Sequence, residues 1–450
     1  MAKDKSKGKL QESELPVQKS EVLDLAKFEL NNALIDHFTS NQKETGIKVD
    51  KSWNVKFMPT RISIFDTFLG GGLPEDRITM YVGRSGCGKT TKAMNDVGAF
   101  QKQHNGKCII LYIDNEQSFT PIRLAACGFD FYNPDTQFMV INECLEKVFA
   151  AIDNVVKFKE SVKQYENYPT LIVWDSLANT QPEKLETSND PEKLIGIRAR
   201  YLSVAIPKYL PIFRKYNMTL ILINQLRRKI NMGYIQQAND LRYMGGEEKT
   251  IPGGEALIFN CHNIVFFKEK DLFTTEKYGF DGVKVIAKCL KNRSFSPNIP
   301  IELIFKYSTG YDEFWTNYFN LVDAKIIRNG NPCKMDDYDD KQFSSFRLKN
   351  AEEVYNSDPE FKRVFDIHVE KFIQDFKDKN NQYAKIIDDK ELVAAAFIDV
   401  DDEEPSDMIT NDDISNDSSP MIQPPDIKVS TPQVSTVIEP PQIKIEIPTN

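Results

Sequence analysis

The chain has 450 residues, of which 41% are hydrophobic, and it carries 57 basic and 66 acidic side chains for a formal net charge of −9. This length and hydrophobic content predict two or three domains with a sizeable core. Seven scattered cysteines form no Cys-x-x-Cys pair, and no apolar run reaches the roughly 18 residues that a membrane helix needs. We therefore expect a soluble cytoplasmic protein without a disulfide framework, a zinc site or a membrane partner.

The acidic charge is concentrated at the C-terminal end. Residues 391–450 hold 13 Asp and Glu against 2 Lys, which leaves 55 basic and 53 acidic side chains in residues 1–390. The average charge of the chain is therefore no argument against nucleic-acid binding by its body.

Residues 1–57 precede the first strong strand pattern. Residues 1–20 are rich in Lys and Glu, and we expect them to be disordered. Residues 21–40 place apolar side chains at near-helical spacing, which predicts one amphipathic helix. Its apolar face packs either on the protein's own core or on a neighbouring subunit, and periodicity alone does not choose between them.

From about residue 55 the sequence alternates between β-rich runs and helical patterns, which predicts an α/β fold with a mostly parallel sheet and helices on both faces. The expected strands are Ile78–Val82, Cys108–Ile113, Thr170–Trp174, Leu220–Ile223, Asn263–Phe267, Val283–Leu290 and Ile301–Phe305. The expected helices include Thr90–Gln103, Leu145–Lys159 and Arg198–Lys215. The last three strands lack crossover helices, so we expect them to extend the sheet in antiparallel fashion.

The stretch Gly83–Thr90 fits the phosphate-loop pattern G-x-x-x-x-G-K-[ST] between a predicted strand and a predicted helix. Its glycines let successive backbone N–H groups face one anion at a helix N-terminus. We expect Lys89 to reach the β- and γ-phosphates of ATP and Thr90 to ligate Mg²⁺. The nucleotide-binding set is Gly83, Arg84, Ser85, Gly86, Cys87, Gly88, Lys89, Thr90 and Thr91. The alternative is an ordinary glycine-rich turn.

Polar side chains follow three predicted strands, at the edge where ligands bind in parallel α/β sheets. Asp114 and Glu116 come after the second strand, where a carboxylate can orient the water that attacks the γ-phosphate, unless both are ordinary surface acids. Asp175 follows four apolar residues and fits the Walker-B pattern, whose carboxylate holds Mg²⁺. Gln225 ends the next strand, where an amide can sense the γ-phosphate by hydrogen bonding.

A long polar segment follows Gln225. Its basic start consists of Arg227, Arg228 and Lys229, and its glycine-rich end of Gly253 and Gly254. Such a segment suits contact with a nucleic-acid backbone, and a mobile linker is the alternative. Lys291 and Arg293 close a later strand, where they form either a solvated strand end or a basic pair that reaches the nucleotide of an adjacent subunit.

Residues 331–395 are charged but carry apolar side chains at helical spacing within Phe361–Phe376, which predicts a small helical C-terminal domain. Residues 396–450 are acidic and proline-rich and predict a disordered tail. The tail either competes with nucleic acid for basic loops, recruits basic partners, or serves only solubility.

Eight segments in the same order resemble the RecA family of homologous-recombination ATPases, including its bacteriophage members, over residues 58–330. They are Thr60–Arg77 (TRISIFDTFLGGGLPEDR), GRSGCGKTT at 83–91, YIDNEQSFTP at 112–121, LIVWDSLAN at 171–179, LINQLRRKI at 222–230, IPGGEALIFN at 251–260, KNRSFSP at 291–297 and Tyr311–Ile327 (YDEFWTNYFNLVDAKII). The resemblance implies a RecA-like ATPase core that forms helical filaments on single-stranded DNA and exchanges strands with double-stranded DNA. If the tail recruits basic partners, we expect them to be a loader and a single-strand-binding protein.

The resemblance also implies roles for single residues. Glu116 matches the family's catalytic glutamate, which favours it over Asp114. Gln225 matches the glutamine that couples the γ-phosphate to the second DNA-binding loop. Lys291 and Arg293 match a basic pair that crosses a filament interface to the neighbour's ATP. In the family the N-terminal segment packs on the next subunit, which favours an oligomerisation role for the helix predicted before the core.

Two predicted loops, 180–197 and 226–252, correspond to the family's first and second DNA-binding loops. The resemblance implies the apolar wedges Ile195 and Ile230 and the DNA-backbone contacts Arg200, Ser203, Arg227, Gly253 and Gly254. The basic start of the second loop adds Arg228 and Lys229 as expected contacts. The sequence departs from the family at Arg123, where an aromatic residue usually stacks on adenine and a guanidinium plane would take its place. It also departs at Pro207, where a basic DNA contact is expected.

Two other functions are compatible with many of these residues. A RecA-fold hexameric helicase translocates along DNA, but its subunits usually carry a separate N-terminal domain, for which residues 1–57 are too few. A non-catalytic recombination mediator binds DNA or a recombinase, but intact Lys89, Glu116 and Asp175 argue against it.

Overall fold

The computed structural model describes residues 55–183, 196–228, 249–275, 281–330, 332–338 and 346–380, apart from the side chains of Arg227, Arg228, Lys249 and Thr250. The helix predicted within residues 21–40, the tail 396–450, and the residues Ile195, Lys229 and Ile230 lie outside these ranges. No helix within them combines the length and the apolar character needed to cross a membrane.

The secondary structure of the described residues follows the predicted alternation of strands and helices. The strands are β1 (Phe57–Met58), β2 (Leu73–Pro74), β3 (Ile78–Gly83), β4 (Ile109–Asp114), β5 (Gln137–Ile141), β6 (Thr170–Asp175), β7 (Met218–Gln225), β8 (Arg227–Arg228), β9 (Lys249–Thr250), β10 (Asn263–Phe273), β11 (Gly282–Lys291), β12 (Pro300–Lys306), β13 (Gly310–Tyr311), β14 (Ile327–Arg328) and β15 (Lys334–Met335). The helices are α1 (Ser63–Leu69), α2 (Lys89–Gln103), α3 (Pro121–Ala126), α4 (Leu145–Ser161), α5 (Ile197–Lys215), α6 (Glu255–Asn260), α7 (Glu313–Asp323), α8 (Ala351–Ser357) and α9 (Pro359–Asn380), with 3-10 turns at Lys163–Tyr165 and Leu348–Asn350.

A nine-stranded sheet organises the molecule, in the order β13-β12-β11-β10-β3-β7-β6-β4-β5. Strands β10, β3, β7, β6, β4 and β5 run parallel, and β11, β12 and β13 extend the sheet in antiparallel fashion. The predicted fold class and the predicted antiparallel extension are confirmed. The sequence did not predict the edge strand β5, because five half-exposed residues carry too little periodicity to identify a strand.

Side chains alternate between the two faces of the parallel strands, so each face has its own hydrophobic core. In β3, Tyr81 packs with side chains of α1 and α2, whereas Met80 and Val82 pack with side chains of α4 and α5. The central strands are nearly continuous runs of Ile, Leu and Val, which suits strands that are buried on both faces.

A third hydrophobic cluster joins the C-terminal helices to the last helix of the sheet region. It includes Trp315 of α7, Ile327 of β14 and Phe361 of α9. The helix predicted within Phe361–Phe376 is confirmed as part of α9. The predicted domain boundary at residue 330 falls inside this shared core, and the division into domains remains a prediction.

The strand register brings the polar strand ends to one edge of the sheet. Asp114 of β4 lies opposite Asp175 of β6, and Gly83 of β3 lies opposite Gln225 of β7. These four strands therefore end side by side, at the edge where parallel α/β sheets bind their ligands.

Candidate functional site

The phosphate loop forms the connection between β3 and α2. Helix α2 begins directly after Gly88, which has a φ of 86° and provides no side chain to cap the helix. The first N–H groups of a helix have no partners within it, and with the helix dipole they attract anions. Gly86 has a φ of 83°, and a side chain added there would point into open space. The loop thus presents backbone donors to an open cradle, which fits the phosphates of a nucleotide.

Contacts within the loop fix the position of Lys89. Its Nζ donates a hydrogen bond to the carbonyl oxygen of Arg84 at 2.6 Å, and Cys87 Sγ donates to the same oxygen at 3.0 Å. Lys89 is only 6% exposed, so its ammonium is held against the loop and not in solvent. Phosphate oxygens can replace this carbonyl as the acceptor, as the predicted role of Lys89 requires.

Close packing behind the loop explains two of its glycines. A β-carbon added at Gly88 would stand 2.6 Å from Tyr311 Oη, and one added at Gly83 would stand 2.5 Å from the carbonyl oxygen of Phe267. Tyr311 Oη is buried and has no hydrogen-bond partner among the described residues. Strand β13, which carries Tyr311, therefore supports the loop through contact with Gly88.

Thr90 and Asp175 form the candidate magnesium site. Thr90 Oγ1 donates a hydrogen bond to Asp175 Oδ2 at 2.7 Å, while Asp175 Oδ1 is buried without a partner in the described part of the chain. Burial is the main cause that raises the pKa of the Asp175 carboxyl to about 7; the carboxylates of Glu116 and Asp114 act in the same direction, and the hydrogen bond from Thr90 acts against it. A buried carboxylate with a spare oxygen beside two other acids fits a site that a cation stabilises.

Glu116 is oriented by side chains from two other strand ends. Its Oε1 accepts hydrogen bonds from Ser176 Oγ at 2.7 Å and from Gln225 Nε2 at 2.6 Å. Asp114, in contrast, accepts hydrogen bonds from two backbone N–H groups of the turn that follows β4. The geometry supports Glu116 over Asp114 as the candidate catalytic carboxylate.

Arg123 lies in α3, beside the helix that follows the phosphate loop. Its Nη2 donates a hydrogen bond of 3.1 Å to Oγ1 of Thr91. This contact brings the guanidinium to the nucleotide-binding segment, and its stacking on adenine remains a prediction.

The predicted DNA contacts on α5 and just before α6 have different surroundings. Arg200 and Ser203 are exposed on α5, and Ser203 Oγ donates a hydrogen bond to the carbonyl oxygen of Arg200 at 2.7 Å. Gly253 and Gly254 have φ values of 111° and 85°, and neighbouring side chains leave little room for a β-carbon at either. Pro207 is exposed within α5. The backbone of both glycines therefore has a shape that other residues rarely adopt.

The second predicted DNA loop is held together at its two ends. Strand β8 at its start pairs in antiparallel fashion with β9. Asn224, the neighbour of Gln225, donates a hydrogen bond from Nδ2 to the carbonyl oxygen of Pro252 at 2.7 Å. The residue that contacts Glu116 is thus adjacent in the chain to one that binds the end of this loop.

Lys291 and Arg293 lie at the opposite edge of the sheet from the phosphate loop. Lys291 pairs with Ile264 in β10, and Ile264 pairs with Met80, near the beginning of β3. Lys291 Nζ and Arg293 Nη2 both donate hydrogen bonds to the carbonyl oxygen of Phe259 at the end of α6, at 2.6 and 2.8 Å. The fold does not bring this basic pair to the nucleotide site of its own chain.

Three residues that the sequence analysis did not single out join the site: Ser176, Asn224 and Arg198. Arg198 Nη1 donates hydrogen bonds to the carbonyl oxygens of Leu177 and Ala178, in the turn after β6. Ser176 and Asn224 were identifiable as neighbours of predicted site residues at strand ends. Arg198 places a positive charge in the first turn of a helix, where the helix dipole disfavours it, and this was the available signal.

Similarity to known proteins covers the region that holds the site. The family model described as RecA N-terminal domain matches residues 33–312. The chain is 28% identical to Protein RecA of Fusobacterium nucleatum over 281 residues, which cover 62% of this chain and 66% of that protein. It is 29% identical to Protein RecA of Deinococcus radiodurans over 278 residues, or 61% of this chain and 69% of that protein. The match thus spans just under two thirds of the length of the Fusobacterium protein.

Proposed function

Because the chain belongs to the RecA family, we propose that it is a DNA-dependent ATPase that polymerises on single-stranded DNA and promotes homologous pairing and strand exchange in recombination and repair. The observation that carries the proposal is the hydrogen bond between Gln225 and Glu116. It joins the candidate water-orienting carboxylate to the strand that leads into the second predicted DNA loop.

The phosphate loop binds the phosphates of ATP in this proposal, with backbone N–H groups and Lys89 as donors. Thr90 and Asp175 hold Mg²⁺, which neutralises charge on the phosphate oxygens when it is bound. Arg123 lies against the adenine base. The raised pKa of Asp175 supports this assignment, because a cation beside the carboxylate offsets the cost of its burial.

Glu116 orients the water that attacks the γ-phosphate. Its Oε1 is already fixed by Ser176 and Gln225, so the other carboxylate oxygen is the one available to water. A γ-phosphate gives the Gln225 amide a second acceptor beside Glu116. When hydrolysis removes this phosphate, the contacts at the end of β7 change, and β7 leads into the second predicted DNA loop. Hydrolysis therefore weakens the hold on DNA.

DNA lies along α5 and the two predicted loops. The exposed Arg200 and Ser203 provide donors for phosphates, and Gly253 and Gly254 have no side chains that would keep their main-chain N–H groups away from them. Since phosphate contacts release counterions, we expect the affinity for single-stranded DNA to fall steeply with salt.

A filament in which each ATP lies between two subunits accounts for the position of the basic pair. Lys291 and Arg293, at the far edge of the sheet, reach the nucleotide of the next subunit in this arrangement.

The opposite side of the molecule offers a surface for a neighbour. Edge strand β5 and helix α4 form a groove of about 620 Å³ with largely apolar walls, including the exposed Met139. We assign this groove to the apolar face of residues 21–40 of a neighbouring subunit.

The test measures ATP hydrolysis with and without single-stranded DNA, together with electron microscopy of the complexes and a strand-exchange assay. We expect DNA to stimulate hydrolysis, helical filaments to form with ATP, and strands to be exchanged. Closed rings that unwind a forked duplex would instead indicate a helicase. DNA binding without DNA-stimulated hydrolysis would indicate a mediator.

Partners and location follow from the same proposal. The acidic tail recruits a loader or a single-strand-binding protein, and the filament acts on DNA in the cytoplasm of a bacterial or phage-infected cell. The relatives found are bacterial proteins, and the likeness to bacteriophage members remains a prediction.

A further inference from the structure

The turn after Asp175 connects the candidate catalytic carboxylate to the helix that carries two predicted DNA contacts. At its start, Ser176 Oγ donates its hydrogen bond to Glu116. The next residue, Leu177, donates from its backbone N–H to the carbonyl oxygen of Ile223 in β7 at 3.0 Å. The position of this turn therefore determines where one of the two partners of Glu116 lies.

Arg198, in the first turn of α5, holds this turn with three hydrogen bonds. Its Nη1 donates to the carbonyl oxygens of Leu177 at 3.1 Å and Ala178 at 2.9 Å, and its Nη2 donates to Gln181 Oε1 at 3.0 Å. A planar guanidinium with fixed donors can bind such a group of acceptors, whereas the single ammonium of lysine matches it less well. The exposed Arg200 lies two residues after Arg198 on the same helix.

The position of Arg198 is unfavourable for α5 itself. A cation in the first turn of a helix lies at the positive end of the helix dipole, and α5 has no acidic residue in that turn to offset it. Residues that break a local rule of this kind are expected where function requires them. The compensating contacts of Arg198 are those to the turn after β6.

We propose that Arg198 is a positioning residue through which DNA bound along α5 accelerates ATP hydrolysis at Glu116. The inference rests on the proposed function. DNA phosphates at Arg200 and Ser203 fix the beginning of α5, Arg198 transfers that position to the turn, and the turn holds Ser176 against Glu116. A misplacement of about 1 Å at a catalytic group slows a reaction roughly 100-fold, so a small shift of the turn is sufficient.

The test compares ATP hydrolysis by the wild type, Arg198→Ala and Arg198→Lys, each with and without single-stranded DNA. Arg214→Ala is the matched control, because it makes the same change in the last turn of α5, about 24 Å away along the helix axis. DNA affinity is measured with a non-hydrolysable ATP analogue, and Tm reports folding. We expect Arg198→Ala to lower the DNA-stimulated kcat at least about tenfold and the DNA-free kcat by a smaller factor, with the KM for ATP and Tm close to wild type. We expect the DNA-stimulated kcat of Arg198→Lys to lie between those of Arg198→Ala and the wild type, and that of Arg214→Ala to match the wild type.

A milder variant keeps the inference testable if Arg198→Ala folds poorly. Gln181→Ala removes one exposed acceptor and leaves the arginine in place, and we expect it to reduce DNA stimulation without a change in Tm. Wild-type stimulation in both variants would overturn the inference and leave the proposed function intact. An equal fall of both rates together with a lower Tm would also overturn it, because Arg198 would then be purely structural. A wild type that DNA does not stimulate overturns both.

Discussion

Gln225 Nε2 donates a hydrogen bond of 2.6 Å to Glu116 Oε1, although their strands β7 and β4 are not neighbours in the sheet. Strand β6 lies between them, and Ser176 at its end donates to the same oxygen. One carboxylate oxygen thus joins the ends of three adjacent strands. The other oxygen is oriented before any substrate arrives, which is the preorganisation that catalysis by a positioned carboxylate requires.

The first prediction concerns Glu116→Gln. The amide keeps the size of the side chain but removes the charge, so we expect the rate of DNA-stimulated hydrolysis to fall at least about 100-fold. ATP-dependent binding to single-stranded DNA should remain, because the phosphate loop is unchanged. Glu166→Gln is the control, since Glu166 is an exposed glutamate near the other end of β6. A Glu116→Gln protein that hydrolyses ATP at the wild-type rate would remove Glu116 from the mechanism.

The second prediction concerns the contact between Gly88 and Tyr311. Gly88→Ala forces a residue with a β-carbon into a left-handed conformation, at a cost of about 1–2 kcal/mol, and drives that carbon against Tyr311 Oη. We expect Gly88→Ala to weaken ATP binding, as measured by titration with a fluorescent ATP analogue.

Tyr311→Phe provides the control for this prediction. It removes a buried hydroxyl that has no partner among the described residues, so we expect it to raise the free energy of unfolding by about 1 kcal/mol. It also removes the closest contact of the added β-carbon, and the next atom of the ring lies 3.3 Å away. The double variant should therefore recover part of the ATP affinity. An equal loss in single and double variants would assign the whole effect to the backbone conformation.

Local sequence patterns were enough to predict the phosphate loop, the strand ends and the order of the elements. A buried strand followed by a polar residue is visible in one dimension, and the register of a parallel sheet then places such residues together. The choice between Asp114 and Glu116 was not visible in the same way. It depends on which carboxylate the backbone N–H groups of the turn bind, and in the sequence only the resemblance to a family favoured Glu116.

Other contacts were not predictable because they join distant parts of the chain. Tyr311 lies in β13, the outermost strand on one side of the sheet, and the pairing of β13 with β12 brings it to Gly88. No local pattern at either residue indicates this contact. The edge strand β5 was missed for a different reason, since its half-exposed residues resemble those of a loop. Ile195, Lys229 and Ile230 lie outside the described residues, so their roles in DNA binding remain predictions.

The third prediction uses a pair of aspartates with the same hydrogen bonds and different burial. Asp66 accepts hydrogen bonds from the backbone N–H and the hydroxyl of Thr60, and Asp281 accepts the same two bonds from Thr275. Burial raises the pKa of Asp66 from 3.8 to about 7 in spite of these bonds. In the more open position, the Thr275 bonds lower the pKa of Asp281.

These opposite shifts give opposite dependences of stability on pH. The folded protein binds a proton at Asp66 more readily than the unfolded chain does, so this residue reduces stability as pH rises from about 4 to about 7, by at most about 1.4 kcal/mol per pH unit. Relative to the wild type, Asp66→Asn should gain stability over this range, as measured by chemical denaturation. For Asp281→Asn the change is in the other direction and lies below about pH 4, because the pKa of Asp281 is lowered from 3.8: the wild type gains stability as this carboxylate ionises with rising pH, and the variant lacks that gain. The same trend in both variants would contradict the assignment of the Asp66 shift to burial.

The fourth prediction tests whether the ATP site is shared between subunits. Lys291 and Arg293 lie across the sheet from the phosphate loop of their own chain, so in the proposed filament they act on the neighbour's nucleotide. Glu116→Gln and the double variant Lys291→Ala/Arg293→Ala should each be inactive alone. Mixed in equal amounts before DNA is added, they should regain DNA-stimulated hydrolysis, because about a quarter of randomly formed interfaces then combine an intact Glu116 with an intact basic pair. A mixture as inactive as its components, in filaments that electron microscopy finds to be well formed, would mean that the basic pair acts only within its own subunit.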